Sequence, residues 1–265
     1  MGEKIRIGAL ISGSGTNLQA IIDACGTGEI NGEIAFVGSD NPEAGGLERA
    51  RRHGIPAFVV DYGSAIRRFK EAPEKIVLPE DFDFDDVFSK HSLFPAHTDV
   101  EKVKSFLITR AVSEAKLLKE MRSYPFDLLI LAGFMRNLTP YFIDRVNTAC
   151  GRPGIMNIHP SLLPAFPGVD GYGDTYRYGC KVGGCTVHFV DYGEDTGPII
   201  GQRAYEIHEE DTVETLKEKG LKLEWALYVR CVKLFSEDRL RTVKMSYPLK
   251  DGTTFDRTIV RIMPP

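Results

Sequence analysis

The stretch GIMNIHPSLLP, residues 154–164, decides the fold that this chain is predicted to adopt. Its apolar core is interrupted at Asn157 and His159, which point to one face of a β-strand because residues i and i+2 lie on the same side. Pro160 follows directly and biases His159 toward extended backbone angles, so we expect His159 to end the strand. Ligands bind at such carboxyl ends in open α/β sheets. The stretch therefore predicts a buried strand that ends at a binding site.

An amide and an imidazole placed side by side at a strand end suit one chemical task. Both Asn157 and His159 can donate hydrogen bonds to an oxygen that gains negative charge during acyl transfer. A histidine at such a position can instead be a packed core residue whose hydrogen bonds are satisfied. The motifs elsewhere in the chain favour the catalytic interpretation over this structural one.

Length and composition indicate a soluble globular protein. The 265 residues fit one large α/β domain or two small ones, and the net charge of -4 argues against nucleic acid as a partner. Five scattered cysteines without metal-ligand spacing are typical of a reducing compartment and predict no metal site. No signal peptide and no apolar run long enough to span a membrane are visible. We expect a cytoplasmic protein with no membrane partner.

The N-terminal stretch predicts a strand, a glycine-rich turn and a helix. An apolar run at residues 5–11 is followed by SGSGTN at residues 12–17 and by helical spacing at residues 18–24. Glycines let the backbone approach a ligand closely, and the free N–H groups of the first helical turn can bind an anion. The pattern is neither a P-loop nor GxGxxG, since Leu18 stands three residues after Gly15. A site for a phosphate monoester is favoured over an ordinary tight turn.

Apolar runs alternate with helical patterns along the rest of the chain. Strands are predicted at residues 33–38, 57–60, 127–132, 184–190 and 199–205, and helices at residues 44–53, 99–123 and 212–235. This alternation predicts a doubly wound, mostly parallel, Rossmann-like α/β sheet. Two further strand-like runs surround Asp251-Gly252, which predicts a C-terminal β-hairpin within residues 238–265.

Two groups of side chains in these elements are interpreted as structural. Arg49, Arg51 and Arg52 are expected to form the solvated face of the helix at residues 44–53. His188 falls within an alternating strand pattern, so we interpret it as a structural residue.

Residues 63–98 break the alternation of strands and helices. Prolines punctuate an acidic and aromatic piece, EDFDFDD at residues 80–86, which is too polar for a core strand. We interpret the segment as a surface insertion that is dispensable for chemistry, although its phenylalanines could dock on the domain or on a second subunit. The alternating aspartates lack the glycine and the bidentate glutamate of a calcium loop.

Four blocks of sequence together resemble the phosphoribosylglycinamide formyltransferase family, folate-dependent enzymes of purine synthesis. The blocks are ISGSGTNL at residues 11–18, LAGFMR at residues 131–136, NIHPSLLP at residues 157–164 and VHFVDYGEDTGP at residues 187–198. They stand in the family's order and span roughly residues 5–235. The second and third blocks are shared with related folate formyl hydrolases and transferases, whereas the first is more particular to the ribonucleotide enzymes.

The resemblance implies an α/β sheet of the formyltransferase type and a set of functional residues. It implies catalytic roles for Asn157, His159 and Asp195. It implies substrate binding by Ser14, Gly15, Thr16, Asn17 and Glu224, and folate binding beside Arg110, Met135, Arg136, Asn137, Leu138 and Asn157. One catalytic domain over residues 1–265 is expected, with a ribonucleotide-binding half near residues 1–133 and a folate-side half near residues 134–237. The sequence does not decide the oligomeric state, and a homodimer is one alternative.

The chain departs from the family in one stretch near the predicted site. Relatives usually carry a histidine two residues after a Pro-Gly pair, but here Pro167-Gly168 is followed by Val169 and Asp170. The segment that continues to Lys181 is unusually rich in glycine and tyrosine. The wall around the site is therefore expected to differ from that of the relatives.

The reaction that the resemblance implies moves a formyl group from 10-formyltetrahydrofolate to the amine of glycinamide ribonucleotide. The amine is the nucleophile, which agrees with the absence of a GxSxG elbow from the sequence. A protonated His159 and the Asn157 amide would stabilise the tetrahedral oxyanion, and Asp195 would favour the protonated imidazole and assist proton transfer. No metal is implied. A formyltetrahydrofolate hydrolase and a non-catalytic binder with the same fold are the alternatives.

Overall fold

A computed structural model describes residues 3–265 and contains a seven-stranded sheet within that range. The strands are β1 Ile5–Ile11, β2 Gly32–Ser39, β3 Ala57–Val59, β4 Leu128–Leu131, β5 Ile155–His159, β6 Val182–Phe189 and β7 Ile199–Glu206. Their order is β3-β2-β1-β4-β5-β6-β7, with β1 to β5 parallel and β6 and β7 antiparallel. The prediction of a mostly parallel sheet is confirmed.

Helices cover both faces of the sheet. They are α1 Thr16–Gly26, α2 Gly45–Arg52, α3 Tyr62–Glu71, α4 Phe84–Lys90, α5 Val100–Met121, α6 Pro140–Cys150, α7 Gly171–Arg177 and α8 Val213–Ser236. Along β4, Leu128 and Ile130 join a core cluster with residues of α1 and α8, whereas Leu129 and Leu131 join a second cluster with residues of α5 and α6. Because successive strand residues point to opposite faces, this double burial explains why β4 is apolar throughout.

The segment at residues 63–98 is helical in part and packs on the domain through its phenylalanines. Phe82, Phe84, Phe88 and Phe94 pack against a buried cluster that includes Leu107. The charged residues of the segment remain at the surface, and Asp81 forms a salt bridge with Arg145 of α6 at 2.8 Å. The phenylalanines therefore dock on the domain itself, which is one of the two docking alternatives.

The tail forms the predicted hairpin, a separate two-stranded sheet of β8 Leu240–Pro248 and β9 Thr254–Ile262. Gly252 adopts a left-handed φ of 83° in the turn, which glycine tolerates without steric cost. Val260 packs against the main core, and the Arg257 guanidinium donates a hydrogen bond of 2.6 Å to the carbonyl of Thr196. The hairpin thereby contacts the loop between β6 and β7.

Within residues 3–265, none of the helices combines the length and the apolar character that crossing a bilayer requires.

Candidate active site

The carboxyl end of β5 opens into a cavity of about 240 Å³. Asn157 and His159 project into it from one face of β5, as the sequence predicted. The wall also includes Asn17, Leu93, Met135, Arg136, Asn137, Leu138, Gly168, Val169, Tyr172, His188, Glu194, Asp195, Leu221 and Glu224. Most of the predicted site residues therefore line one cavity, although they come from distant parts of the chain.

Asp195 lies where His159, Gly168, Asn157 and His188 converge on its carboxylate. Its Oδ2 lies 3.1 Å from His159 Nδ1 and accepts a hydrogen bond of 2.8 Å from the Gly168 amide. Its Oδ1 accepts from Asn157 Nδ2 at 3.3 Å. Asp195 has a φ of 54°, a left-handed conformation that is uncommon outside glycine and that the surrounding contacts must hold.

The pKa of Asp195 reflects opposing effects. Burial alone would raise this pKa, but the hydrogen bond from His188, the charge of His159 and the Gly168 amide together lower it below its usual value. The carboxylate is therefore ionised at neutral pH and can support a positive charge on the neighbouring imidazole.

Both nitrogens of His159 face oxygen acceptors. Nδ1 faces Asp195, and Nε2 lies 2.8 Å from the carbonyl oxygen of Phe166. A protonated ring carries a hydrogen on each nitrogen and would donate to both oxygens. His159 is only 3% exposed, so these two contacts fix the orientation of its ring.

A second hydrogen-bonded group, around Glu224, lines the same cavity. Asn17 Nδ2 donates to Glu224 Oε2 at 2.7 Å, and the Tyr172 hydroxyl donates to Glu224 Oε1. Glu224 is 5% exposed and comes from the middle of α8. The structure thus joins two predicted substrate-binding residues that are 207 positions apart.

The glycine-rich turn lies beside this group at the start of α1. Gly15 has a φ of 71°, and a Cβ there would lie 2.6 Å from Gly46 Cα, so the close packing of α2 also requires glycine. Ser14, Gly15 and Thr16 lie at the helix N-terminus but are not part of the cavity wall, whereas Asn17 is.

Arg49 corrects the prediction of a fully solvated basic helix face. Its Nε donates to the Ser14 carbonyl at 2.9 Å, so it supports the glycine-rich turn. Arg51 and Arg52 instead pair with Glu48 on the exposed face of α2, as expected. The sequence pattern could not distinguish Arg49 because the approach of α2 to the turn is a tertiary contact.

The predicted folate-side segment is tied to the first turn. The Met135 amide donates to Ser12 Oγ at 2.8 Å, and Ser12 Oγ donates to Asp40 Oδ1 at 2.5 Å. Arg136 pairs with Asp40 at 2.5 Å, and Asn137 donates to Glu194 at 2.9 Å. These contacts fix the segment as one wall of the cavity.

Arg110, like Ser14, Gly15 and Thr16, is a predicted site residue that does not line this cavity. Its guanidinium instead lies over the rings of Tyr62 and Phe106, at 5.4 and 4.6 Å from their centroids. It lines a neighbouring cavity of about 460 Å³ between α3 and α5. The Arg136 guanidinium lies over the same Tyr62 ring, 5.7 Å from its centroid, so Arg110 borders the folate-side segment across this ring. Its role in folate binding stays a prediction.

Comparison with known proteins identifies the family. Residues 5–232 match the formyl transferase family. The chain belongs to this family. A phosphoribosylglycinamide formyltransferase of Bacillus subtilis is 34% identical over 222 residues, 84% of this chain and 90% of the relative. One of Haemophilus influenzae is 34% identical over 253 residues, 96% of this chain and 97% of the relative.

A solved structure supports the same grouping. The crystal structure of glycinamide ribonucleotide transformylase 1 from Symbiobacterium toebii shares 38% identity with a TM-score of 0.71, over 100% of this chain and 96% of that one. The resemblance and the fold class inferred from the four sequence blocks are confirmed.

His188 is one of the cavity residues of this formyl transferase family member that the sequence interpretation did not assign to the site. It is 2% exposed, and its Nε2 lies 3.2 Å from Asn157 Nδ2 and 3.5 Å from Asp195 Oδ1. His188 stands opposite Asn157 in the β5–β6 pairing. The structural interpretation of His188 did not anticipate its place in the cavity wall, because strand pairing brings this ring to the site and that pairing is invisible in a single strand pattern.

The departure at residues 169–170 leaves part of the cavity wall to other side chains. Asp170 accepts a hydrogen bond from the Gly173 amide at the start of α7 and pairs with Arg177 at 2.7 Å. It is exposed and does not line the cavity, whereas Val169 and Tyr172 do.

Proposed function

We propose that this protein transfers a formyl group from 10-formyltetrahydrofolate to the amine of glycinamide ribonucleotide. The observation that carries the proposal is that one cavity joins two hydrogen-bonded groups, Asn157 and His159 with Asp195, and Asn17 with Glu224. The names of the relatives support the same reaction.

In the proposed mechanism the amine attacks the formyl carbon of the donor. A C–N bond forms, the formyl oxygen becomes an oxyanion, and the bond to N10 of the folate then breaks. The Asn157 amide and a protonated His159 donate hydrogen bonds to the oxyanion, which exists only along the reaction path. His159 Nε2 exchanges its contact with the Phe166 carbonyl for this oxygen, while Nδ1 stays on Asp195.

Proton transfer completes the reaction. The attacking amine loses a proton and N10 gains one, so the groups beside the cavity need only relay it. Asp195 is ionised and holds His159 in place, which suits it to stabilise the imidazolium and to assist this relay.

Each substrate is assigned to one part of the cavity wall. Ser14, Gly15, Thr16 and Asn17 at the N-terminus of α1 are proposed to hold the phosphate, with Glu224 accepting from the glycinamide end. Met135, Arg136, Asn137 and Leu138 are proposed to line the folate slot with Asn157. This arrangement supports the division into a ribonucleotide side and a folate side.

The deciding experiment measures product formation and donor consumption with 10-formyltetrahydrofolate, with and without glycinamide ribonucleotide. We expect formylated ribonucleotide in step with donor loss, and slow donor loss without the ribonucleotide, because an unpositioned water lacks the advantage of a held nucleophile. Donor hydrolysis that runs equally fast without the ribonucleotide would make the protein a deformylase.

Inorganic phosphate is predicted to inhibit the reaction selectively. The helix N-terminus after Gly15 offers N–H groups to an anion, so millimolar phosphate should compete with the ribonucleotide but not with the folate donor. Steady-state kinetics with each substrate varied in turn checks this. Gly15→Val is a poor probe because its side chain would also collide with Gly46. Equal inhibition toward both substrates would contradict a phosphate site there.

A further inference from the structure

Tyr172 has a role in the cavity that the four family blocks do not include. Its hydroxyl donates to Glu224 Oε1, and its ring lines the cavity beside Asn17, Leu221 and Glu224. Tyr172 belongs to α7, in the stretch where the chain departs from the expected family pattern. Tyr172 therefore lines the cavity from the stretch in which the chain departs from the family pattern.

Helix α8 is adapted to the Tyr172 ring. Gly220 lies one turn before Glu224, and a Cβ at Gly220 would lie 2.7 Å from Tyr172 Cζ and closer still to two other Tyr172 atoms. Glycine in a helix interior costs about 1 kcal/mol relative to alanine, so its presence here has a packing reason. The ring therefore packs closely against α8 at Gly220.

The surroundings of Tyr172 keep its hydroxyl protonated, so that it acts as a hydrogen-bond donor. Burial, followed by the charge of Glu224 and the hydrogen bond to it, raises the pKa of Tyr172 far above its usual value. The neutral phenol can then donate only one hydrogen, and Glu224 Oε1 accepts it.

Glu224 keeps acceptor capacity for a ligand. An ionised carboxylate offers about four lone-pair positions, of which Asn17 and Tyr172 occupy two. The remaining positions suit the N–H groups of an incoming amine or amide. The two protein donors hold the carboxylate in one orientation within the cavity that Asn157 also lines.

We propose that Tyr172 is a positioning and specificity-determining residue for the acceptor amine. Its hydroxyl orients Glu224, and its ring lines the cavity beside this carboxylate, so that an unsubstituted aminomethyl end bound there would fit and a branched one would meet the ring. The inference rests on the proposed function, in which Glu224 binds the glycinamide end.

The hydroxyl is tested with Tyr172→Phe. We expect the KM and the calorimetric Kd of glycinamide ribonucleotide to rise about tenfold or more, because one hydrogen bond to a buried charge is lost. The kcat should stay within about threefold, because Tyr172 makes no contact with the oxyanion. The KM of the folate donor should stay within about twofold, because Tyr172 is not part of the folate-side segment. Tyr176→Phe is the matched control, because Tyr176 lies on the same helix, is 41% exposed and does not line the cavity.

The ring is tested with Tyr172→Ala and an acceptor that carries a methyl group on the glycyl carbon. We expect the preference for the unsubstituted acceptor, measured as a ratio of kcat/KM values, to fall about tenfold, on the scale of a methylene in a packed pocket. Tyr176→Ala should leave the ratio unchanged.

The outcomes separate this inference from the proposed function. Wild-type ribonucleotide affinity in Tyr172→Phe, equal shifts for both substrates, or an unchanged ratio in Tyr172→Ala would each overturn the role of Tyr172. A wild-type protein that neither formylates nor binds the ribonucleotide would overturn the proposed function itself.

Discussion

His159→Ala is expected to lower kcat about 10²-fold or more, because it removes a donor that acts mainly on the oxyanion of the transition state. The KM values should change little, since the hydrogen bond from the ring to the oxyanion forms only along the reaction path. Single-turnover kinetics with saturating donor and ribonucleotide measures the effect on the chemical step.

The same loss is expected from Asn157→Ala and Asp195→Asn, with the fold intact. Asp195→Asn keeps the size of the side chain but removes the charge beside His159 Nδ1. Circular dichroism and thermal unfolding serve as controls for folding. Near-normal turnover in any two of the three variants would remove the catalytic assignment.

Glu114→Gln is expected to change how stability depends on pH. Glu114 is fully buried in α5, and burial raises its pKa to about 7, although hydrogen bonds from Thr139 oppose the shift. The folded protein binds this proton more tightly than the unfolded chain. Its contribution to stability is therefore complete below the unfolded pKa and declines as pH rises toward 7.

The glutamine variant should remove this decline. Thr139 N donates to Oε1 at 2.9 Å, and the Thr139 hydroxyl lies 2.5 Å from Oε2, so an amide can keep both contacts by accepting one and donating the other. As pH rises from 5 to 8, the free energy of unfolding of the wild type should fall by a few kcal/mol more than that of the variant. This size follows from about 1.4 kcal/mol per unit of pKa difference between the folded and unfolded states.

Denaturant unfolding at several pH values measures this difference. Glu120→Gln on the exposed side of the same helix is the control and should follow the wild type. Parallel pH profiles for Glu114→Gln and the wild type would show that Glu114 does not titrate in this range.

The local patterns of the chain predicted most of the fold. Apolar β4 and β5, the helical spacing of α5 and α8, and the Asp-Gly turn of the hairpin all depend on neighbours in sequence. Strand order and pairing depend on distant residues, so the antiparallel placement of β6 and the position of His188 opposite Asn157 were not predictable.

The candidate site was predictable where a motif carried it. Asn157, His159 and Asp195 come from blocks of sequence that resemble the family, and the structure brings them together. Tyr172 and Leu93 line the cavity from segments outside those blocks. Their presence depends on how α7 and the segment after α4 pack, which no local spacing encodes.

The loop that carries Asp195 is supported from outside the cavity on two sides. Ser92 donates its amide to the Tyr192 carbonyl at 2.9 Å, and Arg257 of the hairpin reaches the Thr196 carbonyl at 2.6 Å. A fragment that ends with α8 would keep every residue of the cavity wall but lose the second support. The boundaries of a minimal functional fragment therefore extend well past the residues that touch ligand, and substitutions at either support can adjust the loop without altering the cavity chemistry.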